Sequence, residues 1–157
     1  MTPIASGTNT PGTPITVGSN PEAVAITPDG RTAYTANEGG TKVTPIATAT
    51  NTPGTPITVG SGPDAIAITP YGQTAYVGNY TNGTVTPIAI ATNTPGTPIT
   101  VGSYPQAIAI TPNGQTAYVV HNGNAVTPID IATNTPETPS QSCSQNTQSK
   151  TTNRIEE

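Results

Sequence analysis

The sequence predicts an all-β protein assembled from repeated antiparallel meanders, on three observations. Val17-Gly18-Ser19 recurs as Val59-Gly60-Ser61 and Val101-Gly102-Ser103, two steps of 42 residues, and Tyr34, Tyr76 and Tyr118 keep the same step. Within each period, short β-prone runs alternate with turn signals. One of these runs, Ala65-Ile66-Ala67-Ile68, is apolar on both faces, as befits a strand covered on each side. Four short strands in a period of about 40–45 residues is the spacing of propeller blades. The chain is therefore predicted to be a partial β-propeller of about three four-stranded antiparallel blades. A parallel β-helix is the rival reading, disfavoured because its coils are usually shorter than this period.

The middle repeat shows the elements in order. Residues 64–69 form the first strand, and Pro70-Tyr71-Gly72 turns it into the second, residues 73–78. Residues 79–83 are a loop, residues 84–91 the third strand, residues 92–97 a turn and residues 98–101 a short fourth strand. The third strand carries Thr-Pro-Ile at 44, 86 and, one residue early, 127, so one loop has lost a residue. It is expected nearer the rim, because Pro45, Pro87 and Pro128 cannot donate a ladder hydrogen bond and need their nitrogens pointing away from the sheet or at a bulge.

Composition bounds the function. Hydrophobic residues make up 32% and charged residues 8% of the chain, with 18 Pro, 16 Gly and neither Trp nor Phe. So little apolar surface leans towards disorder, yet the low charge argues otherwise: the low hydropathy comes from Thr, Asn, Ser and Gly, which suit turns and strand surfaces. The net charge is −4, and of four basic residues only Arg31 and Lys42 lie outside the last eight positions, so nucleic acid is not expected as a partner. Cys143 is the sole cysteine, which precludes an intramolecular disulfide. No segment approaches a membrane span, and the sequence as given predicts a soluble chain without an export signal. Residues 1–139 are read as the repeat domain and residues 140–157 as a disordered polar tail. There the register calls for Ile-Thr-Val-Gly and the chain supplies Ser140-Gln141-Ser142-Cys143.

Tyr34-Thr35-Ala36-Asn37, Tyr76-Val77-Gly78-Asn79 and Tyr118-Val119-Val120-His121 resemble the Tyr-Val-Thr-Asn signature of the YVTN β-propeller repeat family. Val59-Gly60-Ser61-Gly62-Pro63, Ala67-Ile68-Thr69-Pro70 and residues 88–94 are similar to the family's other repeat motifs, and the resemblance covers about residues 2–139. It implies a disc-like propeller, often exported or on the cell surface of bacteria and archaea and used mainly as an interaction scaffold. The third signature departs from the pattern at His121, and a full propeller needs more repeats than these.

No catalytic constellation is legible. The carboxylates Glu22, Asp29, Glu38, Asp64, Asp130, Glu137, Glu156 and Glu157 mostly lack carboxylate equivalents in other repeats, and read as solvated turn charges rather than an acid/base pair. His121 stands where the other repeats carry asparagine and is expected to be a loop residue, not a base or lone metal ligand. The glycine-rich turn at 60–63 lacks the Lys-Ser/Thr of a phosphate loop. Tyr34, Tyr76 and Tyr118 are expected to pack blade against blade, each hydroxyl reaching a polar partner. Asn79-Tyr80-Thr81 and Asn82-Gly83-Thr84 match the glycosylation pattern, as chance allows in so Asn- and Thr-rich a chain. No cofactor, no metal and no enzymatic activity are expected. Related propellers host metal-assisted hydrolysis, so a lactonase-like enzyme is the catalytic alternative, and a truncated structural module of a larger surface protein is the third reading.

A candidate binding face follows from differences among the repeats. The turn at 48–56 returns nearly unchanged at 90–98, whereas two loops vary. One holds Asn20 and Glu22, then Gly62 and Asp64, then Tyr104 and Gln106; the other holds Glu38, then Tyr80, then His121 and Asn122. In an up-and-down blade both loops lie at one end, so Glu22, Glu38, Asp64, Tyr80, Tyr104, Gln106 and His121 are the candidate binding residues for a protein, glycan or small ligand. An incomplete propeller also exposes blade faces and strand edges, and a head-to-tail homodimer of six blades is one way to complete it.

Overall fold

The computed structural model describes residues 1–122 and 125–137, and the predicted tail at 140–157 lies outside them. Three antiparallel sheets follow one another along the chain, preceded by a small hairpin of β1 (Ile4–Ala5) and β2 (Thr10–Pro11). The first sheet holds β3 (Pro21–Ile26), β4 (Thr32–Asn37), β5 (Lys42–Ala47), β6 (Thr52–Pro53) and β7 (Ile57–Thr58). The second holds β8 (Pro63–Ile68), β9 (Thr74–Asn79), β10 (Thr84–Ala89), β11 (Thr94–Pro95) and β12 (Ile99–Thr100). The third holds β13 (Pro105–Ile110), β14 (Thr116–His121), β15 (Ala125–Asp130) and β16 (Thr135–Pro136). Each is a meander whose first four strands pair in sequence order, which is the predicted blade. No helix of the described residues is long and apolar enough to cross a membrane.

Two details differ from the expectation. The fourth strand is split: β11 pairs with Ile88 and Ala89 of β10, and β12 with Thr84 and Val85, so residues 92–97, read as a pure turn, contain a strand of their own. The split is where proline fits. The Pro87 carbonyl accepts from Gly96 N–H at 2.8 Å, so the Pro87 nitrogen points to the same side, into the gap between β11 and β12 where no donor is needed. The second difference is at Asn79, read as a loop residue, which ends β9 with no exposed surface. That burial also removes it as a glycosylation acceptor in the folded chain.

The turns are set by local chemistry. In Thr27-Pro28-Asp29-Gly30 and its two equivalents, the Thr hydroxyl accepts from the backbone N–H five residues on, at 3.0 Å for Thr27, 3.1 Å for Thr69 and 3.1 Å for Thr111. Gly30, Gly72 and Gly114 then close the turn at φ of 72°, 68° and 68°, which glycine adopts without steric cost.

Blades pack by alternating size along their first strands. Ile66 and Ile68 of β8 face the first blade, against Tyr34, Val43 and Ile57, while the β9 and β10 side chains Ala75, Val77 and Ile88 fill the same layer. Ala65 and Ala67 occupy the alternate positions, on the other face. Ile108 and Ile110 of β13 repeat the arrangement against Tyr76, Val85 and Ile99 of the second blade. Ile15 and Val17, following the hairpin, cover Ala33 and Ile46 of the first blade in the same manner.

Candidate binding face

Both variable loops lie at one end of the blades. Glu38 N–H donates to the Asn20 carbonyl and Tyr80 N–H to the equivalent Gly62 carbonyl, each at 2.8 Å. In the third blade Asn122 N–H donates one residue earlier, to Ser103 at 3.0 Å, so a backbone bond ties the two loops in every blade but its acceptor shifts in the third. Gly62 N–H also donates to Gly40 at 3.0 Å, joining the loops of adjacent blades. Asn20, Gly62 and Tyr104 share the left-handed conformation, at φ of 47°, 67° and 57°. Only glycine adopts it without cost, so Tyr104 is held there by its surroundings.

The register explains what happens to the next residue but one. Each first strand slips against its neighbour between Pro21 and Ala23, Pro63 and Ala65, and Pro105 and Ala107. Glu22, Asp64 and Gln106 are therefore the extra residues of three equivalent β-bulges, a feature that re-aims a side chain out of the strand's alternation. Because β3 and β13 both pack against β8, the three bulges sit side by side at the inner ends of the blades.

The candidate residues are brought together in two groups. Asp64 is half-buried and its Oδ1 is shielded from solvent without a hydrogen-bond partner among the described residues. Burial pushes its pKa up to about 6, and the nearby negative charges of Glu38 and Glu22 add to the shift. The rings of Tyr80 and Tyr104 form the second group, centroids 4.7 Å apart and planes tilted by 40°, bridging the second and third blades. Gln106 is exposed.

His121 belongs to neither group, and the expectation that it is a loop residue is corrected. It is the last residue of β14, and its Nε2 lies 3.0 Å from Thr127 Oγ1 and its Nδ1 3.0 Å from the Asn122 carbonyl. Its equivalents are structural too: Asn37 Nδ2 donates to Thr44 Oγ1 at 3.0 Å and Asn79 Nδ2 to Thr86 Oγ1 at 2.9 Å. The glycine of each Val-Gly-Ser lies over this side chain. A Cβ on Gly18, Gly60 or Gly102 would stand 2.8, 2.6 or 2.5 Å from Asn37, Asn79 or His121, so two recurrent motifs are the two halves of one contact.

The isolated carboxylates behave as solvated turn charges. Asp29 accepts from Thr27 Oγ1 at 2.6 Å and Arg31 N–H at 3.0 Å, and Asp130 from the N–H and Oγ1 of Thr133 at 2.8 and 2.9 Å; these bonds hold both pKa values below the usual carboxylate range. Among the described residues, no three His, Cys, Asp or Glu side chains gather as metal ligands would. A groove of about 930 Å³ runs along the outer edge between the first two blades, beside Pro45, Pro53, Pro56 and Asn93. It adjoins the turns that recur unchanged, away from the variable loops.

Recurrence carried a signal that the sequence reading did not use. Asn51, Asn93 and Asn134 stand at equivalent places with φ of 55°, 53° and 54°. Tyr34 hydroxyl donates to Asn93 Oδ1 at 2.6 Å and Tyr76 hydroxyl to Asn134 Oδ1 at 2.6 Å, so each blade's tyrosine is latched to the next blade's turn. Tyr118 has no such partner among the described residues and is 46% exposed.

Solved β-propeller structures share the fold of this chain. The chain is similar to Kuenenia stuttgartiensis hydrazine synthase, with 32% identity and a TM-score of 0.74 over 78% of this chain and 36% of that one. It is also similar to U3-55K and to the WD40 repeats of RRP9, each at 12% identity and a TM-score of 0.72, over 78% of this chain and 39% of the other. The chain thus spans well under half the length of each of these structures. No protein-family model and no curated protein matches the sequence. The fold defines the class: a run of β-propeller blades, incomplete as a ring, built on one repeat.

Proposed function

We propose that the chain is a non-catalytic repeat scaffold of the YVTN β-propeller type, acting at or near the cell surface, which holds a protein, glycan or small ligand on the face of Glu22, Glu38, Asp64, Tyr80, Tyr104 and Gln106. The observation that carries the reading is the constancy of the frame beneath varied side chains. The bulge repeats in all three blades and the loop-to-loop backbone bond repeats in the first two, while the residues displayed change from Glu to Asp to Gln and from Glu to Tyr. A scaffold that fixes backbone and varies side chains is the arrangement in which loops carry recognition. The acidic group, on the same face as an aromatic pair of which Tyr104 is exposed and Tyr80 half-buried, suits a ligand with a ring or apolar face and positive charge. Among the described residues no three His, Cys, Asp or Glu side chains gather as metal ligands, which favours the non-catalytic reading over a lactonase-like one.

Arrays of glycans and of basic peptides test this. The expected hit loses about tenfold in affinity on Tyr104→Ala, the effect of removing an aromatic anchor, and is unchanged by Thr50→Ala at the other end of the blade. The reverse pattern overturns the face, and turnover of a lactone or ester by the purified chain overturns the non-catalytic assignment. A structural module of a larger surface protein is the second reading, favoured by the apolar side chains that the end blades expose, Val24 and Ile26 at one end and Val120 and Val126 at the other.

A further inference from the structure

The blade-to-blade interface occurs twice within the chain, and its two halves are exposed at opposite ends. On the third blade, Tyr118, Val120 and Val126 are 46%, 43% and 46% exposed, whereas the equivalent Tyr76 and Val85 of the second blade are fully covered by the third. On the first blade, Val24 and Ile26 are 50% and 59% exposed, whereas their equivalents Ile66 and Ile68 pack against Tyr34. The latch is open in the same way: Tyr118 stands where Tyr34 and Tyr76 donate, and Asn51 where Asn93 and Asn134 accept.

The outer edge is also split between the two ends. In the second blade, β12 pairs with β10 through Val85 and Ile99. Ile99 corresponds to Ser140 in the next repeat, to Ile57 in the previous one and to Ile15 in the one before that. Ile15 already lies on the first blade and exchanges backbone bonds with Met1, at 2.7 Å to the Met1 carbonyl and 3.2 Å from the Met1 amino group. Met1 occupies the register position that Val126 holds in the third blade.

We propose that two copies of this chain close head to tail into a six-bladed ring. The β13–β16 blade of each copy stacks on the β3 face of the other, covering Val24 and Ile26. Val126 replaces Met1 against Ile15 of the other copy, so residues 15–17 become the outer strand of the incoming blade and only the β1–β2 hairpin is displaced. Tyr118 hydroxyl donates to Asn51 Oδ1 across the contact, a third instance of the bond made twice within the chain. Six blades fall in the range of four to eight at which propellers close, and a contact between unlike faces closes when its rotation completes a ring.

Light scattering after size exclusion of the full 157-residue chain is the test, with far-UV circular dichroism as the check on folding. The expected mass is twice 15.8 kDa. Val120→Lys alters a side chain exposed in the single copy, so it is expected to give one-chain particles with the β spectrum intact. Tyr118→Phe and Asn51→Ala are each expected to weaken the dimer roughly tenfold, and to weaken it no further when combined, as partners in one bond do. In a Cys143→Ser background, cysteines at 15 and 126 are expected to form a disulfide between copies, since paired antiparallel residues stand within its span. A single chain that unfolds cooperatively, a dimer untouched by Val120→Lys, or assemblies larger than two copies overturns the proposal.

Discussion

The hydroxyl of Tyr76 donates to Oδ1 of Asn134 at 2.6 Å across 58 positions of sequence, and it does so from a ring with no exposed surface. The bond joins a second strand buried in one blade to a left-handed turn on the rim of the next, so it ties packing to register. Tyr76→Phe keeps the ring and removes the bond. It is expected to cost about 1 kcal/mol, the usual net worth of one hydrogen bond, while Tyr76→Ala is expected to cost about 3–5 kcal/mol through the cavity left behind. Urea denaturation gives both values. Tyr71→Phe, on a ring 74% exposed, serves as the neutral reference, and a Tyr76→Phe midpoint equal to it would show that the latch adds nothing.

Gly60 lies over the Asn79 side chain, where a Cβ would meet Cγ at 2.6 Å. Asn79 has no room to yield, because it is fully buried and bonded to Thr84 and Thr86. Gly60→Ala is therefore expected to destabilise by about 1–3 kcal/mol, as overpacking does. Gly40→Ala, with nothing within 4 Å of the added Cβ, is expected to stay within about 0.5 kcal/mol of the parent. Equal thermal midpoints for the two variants would contradict the contact.

Asn79 Oδ1 is buried without a donor among the described residues. In the first blade the equivalent Asn37 Oδ1 has Thr35 Oγ1 at 3.4 Å, and the second blade carries Val77 in its place. Val77→Thr supplies the missing donor, which offsets part of the cost of a hydroxyl in an apolar layer. Val119→Thr is the control: the position is equivalent and equally buried, but both ring nitrogens of His121 already have partners. Val77→Thr is expected to be the milder change by about 1 kcal/mol, and the opposite order in chemical denaturation would count against the assignment of Oδ1.

Asp64 makes stability depend on pH in an unusual direction. Its folded pKa of about 6 lies above the 3.8 of an ordinary aspartate, so between those values the folded chain binds more protons than the unfolded one. Stability is then greatest below about pH 4 as far as this group is concerned, and falls as pH rises through 6. After allowance for solvent screening the loss is on the order of 1 kcal/mol. Asp64→Asn is expected to abolish this slope and raise the melting temperature at pH 7; a slope that persists in the variant would rule out Asp64 as its source. Asp29 and Asp130 have the opposite sign. Their lowered pKa values mean that their contribution is present above the unfolded pKa and is lost as pH falls through the folded one.

Period, strand order and turn chemistry were all legible in the sequence, because they rest on residues a few positions apart. Thr69-Pro70-Tyr71-Gly72 turns wherever it is placed, and the Ala-Ile alternation of β8 states that both faces are covered. What the sequence could not decide is what touches what between blades. Asn79 looked like a loop residue, and only the approach of Gly60 and the two threonines of β10 buries it. Glu22, Asp64 and Gln106 were singled out because they vary, yet their common state as bulge residues is a property of pairing with the neighbouring strand, one residue against two. The latch from Tyr34 to Asn93 spans two separate blades, and no local pattern encodes it. Backbone preferences act over a few residues and repeat with the sequence, whereas side-chain burial and register are fixed by whichever sheet packs alongside, so tertiary contact alone settles them.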